Sequence, residues 1–201
     1  MLPRDEALRA LAVLDGFHFA GALHRAVHLF IVEQNPGFDP LYSLGPVLRG
    51  GRFTPKGGMP TLYLAEETGT ALAEANQVAA LLDASGSSGG PISPTVVYSF
   101  EADLPCVLDL TNGSTRASLS IQDGELERPW ENLQARGQTV ATQELGRWAF
   151  EVGRFIAIRF ASAVQPEGHC MAIFTERVAA PAYIRVYDQH GSFRGQLPAP
   201  H

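Results

Sequence analysis

FIAIRFASAVQPEGHCMAIFTERVAAPAYIRVYD, Phe155 to Asp188, contains three short apolar runs, FIAIRF, CMAIF and AYIRVYD, set apart by Pro, Gly and charged residues. Their aromatic and β-branched content predicts three strands in succession. Parallel neighbours need a crossover of a dozen or more residues, usually a helix, and no helical run of that length divides these three. A doubly wound parallel sheet is therefore disfavoured, and the class expected is α+β, with mixed, mostly antiparallel sheets and interspersed helices. Just upstream, the stretch from about Thr139 to Val152 reads as a helix, and TVVYSFEA with CVLDL reads as a strand pair.

The first half adds elements of the same kinds. Pro3 to Leu14 places Ala7, Leu8, Leu11 and Leu14 at helical spacing, giving an N-terminal amphipathic helix within residues 1–16. ALHRAVHLF alternates Leu23, Arg25, Val27 and Leu29 against Ala22, His24, Ala26 and His28, which favours a strand. Asn35 to Pro60 is dense in Gly and Pro and reads as a long ordered loop or a set of short strands. TLYLA follows as a strand, then a helix from about Thr70 to Leu82, then SGSSGG as a flexible connector.

A chain of 201 residues that is 45% hydrophobic and 18% charged can bury one ordinary core, so a single domain over 1–201 is expected. The net charge of -6 argues against broad contact with nucleic acid, which needs clustered Lys and Arg. No apolar run reaches the roughly 20 residues that span a bilayer, and the opening residues lack a signal-peptide pattern. A soluble, cytoplasmic protein without a membrane partner is expected. Cys106 and Cys170 each lie in an apolar strand-like run and read as buried thiols rather than a disulfide.

Two charges stand where apolar residues would pack. Glu74 falls within the helical stripe of Ala71, Ala75, Val78 and Leu82, and an unpaired carboxylate buried there would cost several kcal/mol. It should face a cavity or meet cations; the alternative is a place at the stripe's edge or in a structural ion pair. Arg25, on the apolar face of its strand, also needs acceptors, either in a shared site with Glu74 or from a structural partner. Arg52 lies in RGGRFTPKGG, where glycines allow close backbone approach and the guanidinium could clamp a phosphate; a solvated turn is the plainer reading.

His18, His24 and His28 cluster in sequence, but no nearby acid or cysteine completes a ligand set, so no metal is expected. Ser88 centres a formal G-x-S-x-G, yet it sits in the Gly/Ser connector rather than between a strand and a helix.

The order of these signals, HR in an early strand, GGRFTPKG, TLYLA and then ALAE, resembles the RES-domain toxin family. Its members show a strand arginine, a GGRW-like turn, a Y-L-A strand and an A-x-x-E helix. Here these are Arg25, Gly51-Arg52-Phe53, Tyr63-Leu64-Ala65 and Ala71 to Glu74. TQELGRWAFEVG, FIAIRFASA and CMAIF resemble the family's C-terminal half, with Gln143, Gly146 and Ser162 at the matching positions. The likeness covers a core from about Leu23 to Glu176. Phe53-Thr54 replaces the usual Trp-Asn, and Ala161 replaces the proline before the serine.

The resemblance implies a fold like the ADP-ribosyltransferases and NAD+ as substrate, with no further cofactor. Nicotinamide would leave by hydrolysis, by phosphorolysis or by transfer of ADP-ribose to a protein. Glu74, Arg25 and Arg52 would be the catalytic groups, and Arg25, Arg52, Tyr63, Gly51, Ser162, Thr139 and Gln143 would line the substrate. Thr139 or Thr142 could supply the hydroxyl in place of Ser162. A small helical antitoxin is the implied partner, a homo-oligomer is possible, and a noncatalytic nucleotide- or partner-binding module is the rival from another class. The expectation with most spatial content is that Arg25, Arg52 and Glu74 converge on one cavity.

Overall fold

The computed structural model describes residues 1–83, 94–165, 167–187 and 195–199. Helices are α1 (Arg4–Val13), α2 (Leu29–Gln34), α3 (Gly45–Arg49), α4 (Thr68–Asp83), α5 (Gly113–Ser118), α6 (Trp130–Ala135) and α7 (Ala141–Val152). Strands are β1 (Phe17–His28), β2 (Thr61–Ala65), β3 (Thr95–Asp109), β4 (Ala157–Ala161), β5 (His169–Phe174), β6 (Tyr183–Tyr187) and β7 (Gln196–Leu197). The SGSSGG connector with Ser88, and the side chains of Val78 and Leu82, lie outside the described residues. Among the described residues no helix is long and apolar enough to cross a membrane.

The strands run in the order β1-β2-β5-β4-β3-β6-β7, and β1 also pairs with β3, so β1, β2, β5, β4 and β3 form a closed circuit. Only β3 and β4 pair in parallel; every other pairing is antiparallel, as the α+β class requires. The inward side chains are Leu23, Val27, Leu62, Leu64, Phe100, Leu104, Met171 and Ile173, all part of one buried cluster. The outward ones on β2, β4 and β5, including Ala65, Phe160, Cys170 and Phe174, pack beneath Ala7 and Leu11 of α1 and Leu145, Trp148 and Ala149 of α7. Period-two alternation of β2, β4 and β5 therefore serves two cores.

One expectation needs correction, and one open alternative is decided for an ordered loop. TVVYSFEA and CVLDL are one continuous strand, β3, rather than a pair, and its residues 95–107 pair along β1. Pro105 is tolerated because the β1 ladder shifts register between Phe17 and Phe19, opposite Leu104 to Val107, where an absent N–H costs nothing. The Gly/Pro stretch from Asn35 to Pro60 holds no strand; it contains α3 and a single bridge between Gly51 and Thr54.

Arg159 closes one end of the strand circuit from within. Its guanidinium binds both oxygens of Glu66 at 2.6 and 3.0 Å, reaches Asp109 at 3.4 Å and Thr111 at 2.8 Å, and lies 5.7 Å from the Phe17 ring centre. Side-chain exposures of 18–19% mean that water screens the group only in part. Losing one partner of a buried pair costs about 3–5 kcal/mol, so here about 2 kcal/mol is expected. Arg159→Met should lower the melting temperature by about 4–8 °C in a calorimetric scan; an unchanged transition would show that the network is dispensable.

Candidate active site

Glu74 sits on α4 one turn beyond the buried Ala71, and its Oε1 accepts from the Ser162 hydroxyl at 2.7 Å. Ser162 Oγ in turn accepts from the amides of Val164, at 3.2 Å, and Gln165, at 3.0 Å, so its one proton is directed at the carboxylate. The Cys170 thiol lies 3.8 Å from the same Oε1. Burial pushes the Cys170 thiol pKa up, the Glu74 charge pushes it further and Arg52 pulls it back. The thiol therefore stays protonated and acts as a weak donor. Both donors use Oε1, and among the described residues Oε2 of Glu74 has no partner.

Arg52 stands at the tip of a tight turn closed by two backbone hydrogen bonds between Gly51 and Thr54, at 2.8 and 3.2 Å. Its Nη1 donates to the Leu126 carbonyl at 2.6 Å. The turn is clamped from beneath by Tyr63, whose hydroxyl accepts from the Phe53 amide at 2.9 Å and meets Thr54 Oγ1 at 3.0 Å. Gly51 is required, because a Cβ there would lie 2.8 Å from that hydroxyl. From the other side α7 presses against the turn so closely that a Cβ on Gly146 would fall 1.9 Å from the Phe53 carbonyl oxygen. Gln143, one helical turn earlier, donates to the Gly51 carbonyl at 3.0 Å. Arg52 and Glu74 thus act on the same outer face of the strand circuit, with Cys170 within electrostatic reach of both.

Arg25 does not join them, which corrects the expected convergence. Leu23 and Val27 point into the circuit, so Arg25, between them in the alternation, points inward too, while Cys170 beside Glu74 points outward. The Arg25 guanidinium donates to the carbonyls of Pro40 at 2.7 Å and Tyr42 at 3.0 Å. Burial lowers its pKa, and the nearby Asp39 charge works against that shift. A cavity of about 640 Å³ beside this loop is lined by Leu41, Tyr42, Pro60 and Leu197 among others, and by neither Glu74 nor Arg52.

The remaining predicted positions divide in the same way. Ser162 meets Glu74, whereas Tyr63, Gly51 and Gln143 support the Arg52 turn from below. Thr139 is exposed ahead of α7 and Thr142 is buried; no hydrogen bond joins either hydroxyl to Glu74. His18 pairs with Asp103, His24 with Ser99, and His28 with the Ala75 carbonyl, at 2.8, 3.0 and 3.3 Å. Sequence reading missed Cys170 as a neighbour of Glu74, since an apolar strand run carries no sign of what lies above it. It also missed Leu126 and Gln134, which sit in a stretch without motif.

The RES domain family model matches residues 22–195. No curated protein matches the chain. Among solved structures, a chain from the M. tuberculosis MbcT-MbcA toxin-antitoxin complex superposes with a TM-score of 0.65 and 17% sequence identity, covering 92% of this chain and 90% of that one. At that identity the likeness speaks to fold.

Tyr63 offers a test of how the turn is held. Burial pushes its hydroxyl up to about 12 from the ordinary 10.0. A folded pKa above the unfolded one means that the stabilisation is complete below pH 10 and is lost as pH rises toward 12, at about 1.4 kcal/mol per pH unit. Tyr63→Phe should lose about 1–3 kcal/mol at neutral pH, because the Phe53 amide is left unpaired, and should show a shallower decline between pH 10 and 12 than the wild type. Denaturant titrations across that range measure both; parallel curves would place the hydroxyl outside the turn's support.

Proposed function

This chain belongs to the RES domain family, and from that footing we propose that it cleaves the bond between nicotinamide and ribose in NAD+, with Glu74 and Arg52 meeting the substrate. The observation that carries the reading is the half-satisfied carboxylate: Ser162 and Cys170 fix Oε1 of Glu74, while among the described residues Oε2 takes no donor and is open to a ligand. Cleavage of an N-glycosidic bond passes through an oxocarbenium-like state. Oε2 would hold a ribose hydroxyl, and its charge would stabilise the positive charge that develops on the ring. Nicotinamide is a cation in the bound form and departs neutral, so no general acid is needed at the leaving group.

Arg52 would bind the pyrophosphate. One of its five donors is spent on the Leu126 carbonyl, which aims the fork and leaves the others for phosphate oxygens. Ser162 is a positioning residue in this scheme. Tyr63, Gly51 and Gln143 hold the Arg52 turn, and Arg25 anchors the loop of residues 40–42 by its two carbonyl contacts. By likeness of fold to a chain from a toxin-antitoxin complex, the biological role included in this reading is that of a toxin restrained by a small helical antitoxin.

Purified protein incubated with NAD+, with and without phosphate, should release nicotinamide together with ADP-ribose or its phosphorylated form. Glu74→Gln keeps the shape, removes the charge, and should lower the rate by about 10²–10³ while the fold survives. Ser162→Ala should cost less, about tenfold, because the carboxylate remains but swings more freely. ADP-ribose found on a protein instead would make the chain an ADP-ribosyltransferase. NAD+ binding without nicotinamide release under any acceptor condition would make it a noncatalytic nucleotide-binding module.

A further inference from the structure

The segment between α5 and α7 reaches the Arg52 turn at two points, Leu126 and Gln134, and Gln134 also engages α7. Leu126 supplies the carbonyl that takes the guanidinium, at 2.6 Å. Gln134, in the last turn of α6, donates its Nε2 to the Arg49 carbonyl at 2.9 Å, and its Oε1 accepts from Gln143 Nε2 at 3.0 Å. Gln143 also holds the Gly51 carbonyl. The two carbonyls that flank Gly50 and precede Arg52 are thus taken by two side-chain amides bonded to each other.

Gly50 reports how closely this arrangement fits. Its φ of +87° lies in the left-handed region, and a Cβ there would come within 2.1 Å of Gln134 Oε1. The space beside the turn that a side chain at residue 50 would fill belongs to Gln134. A solvated loop has no need of such an arrangement, because water satisfies carbonyls without ordering a glutamine.

We propose that Gln134 is a positioning residue for Arg52: it fixes the turn through the Arg49 carbonyl and Gln143, so that the guanidinium meets the phosphates of the substrate already aimed. The proposal rests on the reading of Arg52 as the phosphate-binding group. Pre-aiming matters because a free arginine carries rotamer entropy, part of which is lost each time it binds. Gln134 touches no reacting atom, so its removal should weaken binding and leave the bond-breaking step nearly intact.

A double-mutant cycle tests this, with ADP-ribose binding by calorimetry and NAD+ kinetics as parallel readouts. Gln134→Ala should weaken ADP-ribose binding and raise KM for NAD+ by about tenfold, with kcat changed less than about twofold. In an Arg52→Met background the same substitution should add almost nothing, since no guanidinium is left to aim. Gln134→Glu keeps the acceptor for Gln143 and loses the donor to the Arg49 carbonyl, so it should fall between wild type and Gln134→Ala. A loss in kcat equal to the loss in binding, or a full effect that persists without Arg52, would overturn the proposal and reduce Gln134 to a structural role. If the wild type releases no nicotinamide, the cleavage reading fails while the ADP-ribose arm still decides Gln134; wild-type protein that neither releases nicotinamide nor binds ADP-ribose overturns both.

Discussion

Closure of five strands into a circuit constrains everything else in this molecule. Once β1 pairs with both β2 and β3, each strand has an inside that only apolar side chains can fill and an outside where helices or a ligand must cover what remains. An inward charge is then tolerated only near an end of the circuit. Arg159 and Arg25 occupy such places, one satisfied by carboxylates and the other by loop carbonyls. Polar groups on the outer face are not confined in this way, and Glu74, Ser162, Cys170 and Arg52 are found there.

On that face the chain uses missing side chains as deliberately as present ones. Gly146 lets α7 rest on the Phe53 carbonyl, Gly51 lets Tyr63 reach the turn, and Gly50 leaves room for Gln134. Each contact would be blocked by a single methyl group. The result is a turn with its backbone held by Tyr63, Gln143 and Gln134, and with the Arg52 guanidinium held at the Leu126 carbonyl. In a turn held this way the ordering cost of the backbone has been met in folding.

How much of this was legible depended on whether the signal was local. Amphipathic and alternating patterns located α1, β2, α4, α7 and the three late strands to within a few residues, because burial acts on a run of neighbours. The glycine-rich stretch revealed close packing without revealing what packs, and α3 within it went unseen, since five residues are too few for a period to emerge. The join of TVVYSFEA to CVLDL across Pro105 was hidden for a different reason. Whether a proline ends a strand or sits at a ladder shift depends on β1, some 85 residues earlier. Contacts such as Cys170 with Glu74, 96 residues apart, have no local signature at all.

Arg25 and Glu74 posed the same anomaly in the sequence, a charge in an apolar pattern, and the structure resolves them in opposite ways. An arginine has five donors and no acceptor, so two backbone carbonyls of a neighbouring loop can satisfy much of it without any ligand. A carboxylate has acceptor sites on two oxygens, and among the described residues Glu74 receives donors at only one. Sequence pattern can detect that a charge is out of place; only the partners around it tell how much of its bonding capacity the fold itself uses. Arg25 spends its Nη1 on two loop carbonyls inside the circuit, whereas Glu74, among the described residues, keeps Oε2 open on the outer face beside Ser162 and Cys170.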